Sequence, residues 1–108
     1  MDERERRLAQ NEAVFRDVNE RIEGLAAKHG DDEHRYEFIC ECSNADCMFR
    51  VSLTLREYEE VREQGTRFFV LANHAMPEVE QVIEHRDGYD IVEKTGEAAD
   101  LVEDRNPR

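Results

Sequence analysis

Apolar positions recur at helical spacing through the first quarter of the chain. Leu8, Phe15, Val18, Ile22 and Leu25 fall on one stripe, Val14 and Ala26 widen it, and Glu and Arg fill the other faces. The pattern predicts one amphipathic helix over residues 4–28, closed by His29 and Gly30 and followed by the acidic residues Asp31, Asp32 and Glu33. Leu8, Phe15 and Ile22 are also seven apart, with Val18 and Leu25 between them. The stripe is therefore expected to be buried, either on the chain's own sheet or as a short coiled coil in a homodimer formed through this helix.

Downstream the period changes to two. Residues 36–40 read as a strand, and Phe49, Val51 and Leu53 alternate with Arg50, Ser52 and Thr54 as its hairpin partner. Thr54 and Glu57 have the spacing of a helix capping box, which predicts a short helix carrying Leu55, Tyr58 and Val61 and ending at Gly65. Phe68, Phe69, Val70 and Leu71 form the most apolar run and read as a buried strand. Residues 79–85 and 89–94 are joined through Asp87 and Gly88, a tight-hairpin pair. Ala98, Ala99, Leu101 and Val102 suit a short helix over residues 96–104, and residues 106–108 are expected to fray. The fold class is α+β: a long N-terminal helix, then a small antiparallel sheet with a zinc-knuckle-like hairpin and short helices. Residues 1–30 form the helical part and residues 31–108 the knuckle-bearing core with a flexible C-terminal tail. With 108 residues the whole is expected to be a single domain.

The knuckle carries the candidate chemistry. All three cysteines of the chain fall within residues 40–47. Cys40 and Cys42 are two apart, so in extended backbone they leave the same face. Ser43, Asn44, Ala45 and Asp46 are mostly turn formers that can swing Cys47 back towards them. Three sulfurs on a short turn suit a soft tetrahedral ion, by default one structural zinc. The fourth ligand is sought among His29, His34, His74, His85 and Asp46. His74 is preferred, because it lies in a turn directly after the buried strand, where an imidazole can reach the hairpin. His29 and His34 flank the acidic loop, and His85 sits in a hairpin strand among charges. The expected metal set is Cys40, Cys42, Cys47 and His74.

Several stretches carry a resemblance. Asn11-Glu-Ala-Val-Phe-Arg-Asp-Val-Asn-Glu-Arg21, Phe38-Ile-Cys-Glu-Cys42, Leu55-Arg-Glu-Tyr-Glu-Glu-Val-Arg62, and Pro77-Glu-Val-Glu80 followed by Val92-Glu-Lys94 are similar to a family of small uncharacterised actinobacterial proteins. The resemblance spans residues 11–108. The family carries Pro-Gly-His where this chain has Ala72, Asn73 and His74, so the histidine matches and the glycine does not. The resemblance implies His74 as the distant ligand and brings no activity with it.

Charge narrows the partners. The formal net charge is -12, with 27 acidic and 15 basic residues and no basic segment. Direct nucleic-acid binding, which draws most of its non-specific affinity from phosphate contacts, is not expected. No apolar run approaches the ~20 residues of a membrane span, and the charged N-terminus leads into no signal-peptide core. A cytoplasmic protein with reduced thiols is expected. The leading reading is a zinc-stabilised, non-catalytic interaction or regulatory module that binds a protein partner with a basic surface. One alternative is a thiol or zinc redox sensor; another is a small zinc hydrolase, disfavoured because four protein ligands leave no open position on the ion.

Overall fold

The computed structural model describes residues 2–28, 33–47 and 49–106. The helix stop expected at His29 and Gly30, the aspartates at 31 and 32, and the last two residues of the tail lie outside them. Helix α1 spans Glu3–Ala27, capped at its start by the Asp2 carboxylate, which accepts the Glu5 amide at 2.8 Å. Strands β1 (Arg35–Ile39) and β2 (Arg50–Thr54) pair antiparallel as the hairpin that alternation predicts, with Phe38 opposite Val51 and Tyr36 opposite Leu53. Helix α2 (Leu55–Arg62) starts on the expected capping box. The Glu57 amide donates to Thr54 Oγ1 at 3.1 Å, and the Thr54 amide donates to the Glu57 carboxylate at 2.8 Å.

Strands β3 (Arg67–Leu71), β4 (Glu80–Arg86) and β5 (Tyr89–Lys94) form a second antiparallel sheet in the order β3-β5-β4. The β4–β5 turn runs through Gly88 at φ +86°, a value that favours glycine and explains the Asp-Gly pair. A register shift between Val82 and Glu84 turns Ile83 outward. Helix α3 (Gly96–Asp104) buries Ala98 and Val102 and packs on α1. The architecture is α+β, as expected. The core lies between the two sheets and the helices. Phe38 stacks on Tyr58 with centroids 4.6 Å apart, and Phe69 meets both rings edge-on. All three are fully buried, and aromatic contacts of this kind add to the large area each ring removes from water.

Helix α1 corrects one expectation. The stripe of Leu8, Phe15, Val18, Ile22 and Leu25 is not what the helix buries in this chain. Of the five only Leu8 is buried; Phe15 and Ile22 are half-buried, and Val18 and Leu25 are exposed. The buried face is instead Leu8, Ala9, Glu12, Ala13, Arg16, Asn19 and Ala26. Its polar members have partners far along the chain. Glu12 meets Lys94, which also meets Glu80, and all three side chains are fully buried. A buried cation between two carboxylates is tolerable only because each has a partner. Burial pushes the Glu80 carboxyl up to about 7. Apolar periodicity alone could not show this, because it assumes that the apolar face is the inner one.

Candidate metal centre

Strand β1 leads directly into Cys40 and Cys42, and the turn that follows returns Cys47. The turn is closed by the Cys47 amide, which donates to the Asn44 carbonyl at 3.0 Å, and by the Asn44 side chain, which accepts the Asp46 amide at 3.0 Å. The Cys40 amide donates to Phe49 O at 3.0 Å, which keeps the two limbs of the knuckle together. His74 arrives on the turn after β3, where its amide donates to Leu71 O at 3.0 Å. Asn73 sets that turn at φ +70°, in the left-handed region. Asn is among the few non-glycine residues that enter it readily, so it does what a glycine would do there.

The four expected residues converge. One ligand atom from each of Cys40, Cys42, Cys47 and His74 lies within 4.8 Å of the others. His74 Nδ1 is 3.7 Å from Cys40 Sγ and 3.8 Å from Cys47 Sγ. With metal–sulfur bonds of ~2.3 Å and metal–nitrogen bonds of ~2.0–2.1 Å, a tetrahedron has sulfur–nitrogen edges of roughly 3.6 Å. The observed separations match those edges, so the four atoms can hold one metal ion. Cys40 and Cys42 are each 1% exposed, whereas Cys47 and His74 are half-buried and form the outer side of the cluster. Phe49, itself exposed, packs edge-on against the His74 ring at 5.6 Å.

The electrostatics of the site favours a thiolate at Cys42 and opposes one at Cys40 and Cys47. The Leu71 amide donates to Cys40 Sγ at 3.2 Å, and the amides of Asn44 and Phe49 favour the ionised forms of Cys42 and Cys47. The charge settles first on Cys42. A hydrogen bond with Cys40 is the largest cause, reinforced by His74 and Asn44 against burial, and the thiol comes down to about 5. The same contact with Cys42 pushes Cys40 up, and burial pushes Cys47 up.

The other candidate ligands lie elsewhere. His85 is directed at Asp90, with Nδ1 2.7 Å from its carboxylate, and its side chain is largely exposed. His34 packs edge-on to Tyr36 at 4.6 Å. Asp46 is exposed on the knuckle turn and does not join the cluster. His29 lies outside the described residues. Pattern reading missed what backs the site. Glu41, between the two buried cysteines, is itself fully buried and paired with Arg16 of α1. The only available sign was a carboxylate placed in an otherwise apolar strand end.

No family model, curated protein or solved structure matches the chain. The likeness to an actinobacterial family gains no support from these comparisons.

Proposed function

We infer that Cys40, Cys42, Cys47 and His74 bind one structural zinc ion, and that the chain is a zinc-stabilised, non-catalytic interaction module for a protein partner. The convergence of three sulfurs and one imidazole nitrogen within 4.8 Å, with the Cys40–His74 and Cys47–His74 separations on tetrahedral edges, carries this reading. Zinc fits the donor set: soft thiolates with one imidazole, a tetrahedral arrangement and no required redox change. Four protein ligands complete the ion's shell, which supports a structural role over hydrolysis. The net charge of -12 supports a partner with a basic surface in preference to a nucleic acid.

Elemental analysis of protein made in metal-replete medium tests the metal. One zinc per chain is expected, lost in Cys42→Ser and His74→Ala and kept in His85→Ala; a wild-type chain free of zinc and iron contradicts the reading. Affinity capture with the zinc-loaded chain and with Cys42→Ser tests the partner. A protein retained only by the loaded chain is expected, and no retained protein contradicts it.

One observation favours a thiol-sensor reading as the alternative: Cys47 is the one sulfur of the three outside the fully buried set. A peroxide would oxidise two thiolates to a disulfide, itself reduced to water, and the ion would leave. Zinc release by peroxide, reversed by a thiol reductant, distinguishes this from a purely structural site.

A further inference from the structure

Residues 39–43 have two faces. Just past the end of β1, Cys40 and Cys42 join the ligand cluster while Glu41 faces α1. Arg16 forks onto both oxygens of Glu41, at 3.2 Å each, and also donates to the Arg67 carbonyl. Asn19 pairs with Ile39 as a neighbouring strand would, donating to its carbonyl at 2.9 Å and accepting its amide at 2.9 Å. The same Asn19 amide reaches Glu41 Oε2 at 3.0 Å, and Asn11 donates to Ser43 O at 2.8 Å. Five consecutive residues are thus clamped between the candidate ligand cluster and three side chains of one helix.

The clamp is unusual in being polar. Arg16 and Asn19 are 3% and 0% exposed, whereas Val14, Val18 and Leu25 on the same helix are 48%, 38% and 64% exposed. A buried hydrogen-bonded ion pair adds little net stability over water but costs much when one partner is displaced. Its value therefore depends on where Glu41 is held. Glu41 is held between two cysteines of the cluster, and a slip of one residue in this strand would exchange the metal face for the helix face.

We propose that α1 is the rear wall of the metal site. Arg16 and Asn19 are positioning residues that hold Cys40 and Cys42 in the ligating conformation, and bound ion in return tightens the docking of α1. The proposal rests on the zinc reading above. Coupling of this kind is reciprocal: what the helix adds to metal affinity, the metal adds to helix docking. Other anchors of α1 lie outside residues 39–43, namely Arg4 on Glu78, Glu12 on Lys94, and Glu20 on Tyr58 and Arg62. Loss of the ion therefore loosens the helix without freeing it.

Two measurements test this on the full chain. The first is zinc affinity by competition with a chromophoric chelator. Arg16→Met and Asn19→Ala are expected to bind one zinc about 10- to 100-fold more weakly, the usual cost of removing support around a ligand set. Ile91→Ala, a truncation in the β3-β5-β4 sheet, is expected to keep wild-type affinity. Wild-type affinity in both α1 variants, or an equal loss in Ile91→Ala, overturns the proposal. The second needs no variant: hydrogen exchange of the wild-type chain with zinc bound and after removal by a chelator. Several-fold faster exchange is expected at residues 11–20 and 36–43, with residues 80–94 unchanged. Unchanged exchange in α1, or a common rise across residues 80–94, overturns it. A wild-type chain that takes up no zinc defeats the zinc reading itself, whereas a loaded wild type with indifferent variants defeats only the coupling.

Discussion

The two sheets of this molecule differ in how much apolar core each carries. In the β3-β5-β4 sheet, Phe68, Phe69, Val70, Ile91 and Val92 are all 5% exposed or less, and the pairing is interrupted only at Ile83. The β1–β2 ribbon has two strands, buries Phe38, Val51 and Leu53, and carries three candidate ligands at its knuckle, with the fourth, His74, on the turn after β3. An isolated two-stranded ribbon is marginal in water. Small domains often make up for a limited core with a metal or another cross-link. In the proposed zinc reading, the filled cluster takes the place that a third strand or more apolar side chains would fill. The two ends meet at Glu41, whose amide donates to Phe69 O at 3.1 Å.

The strongest break in this comparison is removal of the metal. Structural zinc contributes an apparent ~10–16 kcal/mol in small zinc peptides, because no preformed site exists in the unfolded chain. Cys42→Ser is expected to collapse the amide dispersion of residues 36–39 and 50–54 in proton–nitrogen spectra, while residues 67–71 and 80–94 stay dispersed. Equal loss in both sheets would remove the distinction. Lowering the pH should have the same polarity, since thiolates and a neutral imidazole must be reprotonated as the ion leaves.

Phe69→Ala attacks the other side. Phe69 is fully buried against Phe38 and Tyr58, so about 3–5 kcal/mol should be lost. Urea unfolding of the zinc-loaded variant should show one transition at lower midpoint for both sheets.

Smaller effects refine the picture. Burial by itself would raise the Glu57 carboxyl, but the Thr54 amide, the charge of Arg35 and the Tyr89 hydroxyl outweigh it and hold it below 4.5. Its folded state then prefers the ionised form, so its contribution is complete above pH 4.5 and fades as pH falls below that value. Glu57→Gln should flatten this acid limb by a fraction of a kcal/mol, read from urea midpoints at a series of pH values; an unchanged slope would show that Glu57 does not set it. Leu25→Ala should be smallest of all. At 64% exposure its side chain is outside the core, and the change should stay within ±0.5 kcal/mol. A loss of several kcal/mol in dilute solution would show that the outer stripe of α1 is covered after all.

The legible parts of this fold were those specified locally. The Thr54–Glu57 box, the Asp87–Gly88 turn and the alternation around Val51 and Leu53 each depend on neighbours a few residues away. The ligand cluster was legible because Cys40, Cys42 and Cys47 share one turn and His74 follows the one strongly apolar strand. The inner face of α1 was not, because Arg16, Asn19 and Glu12 find their partners only at Glu41, Ile39 and Lys94 after folding. In the sequence they are indistinguishable from a solvated helix face. The division of five strands between two sheets was hidden for the same reason.

The central claim is that three sulfurs and one imidazole bind a single ion. X-ray absorption at the metal edge of the purified, metal-replete chain measures that shell directly. Three sulfurs at ~2.3 Å and one nitrogen at ~2.0–2.1 Å are predicted. A shell dominated by oxygen, or a chain without a metal edge, would contradict the account.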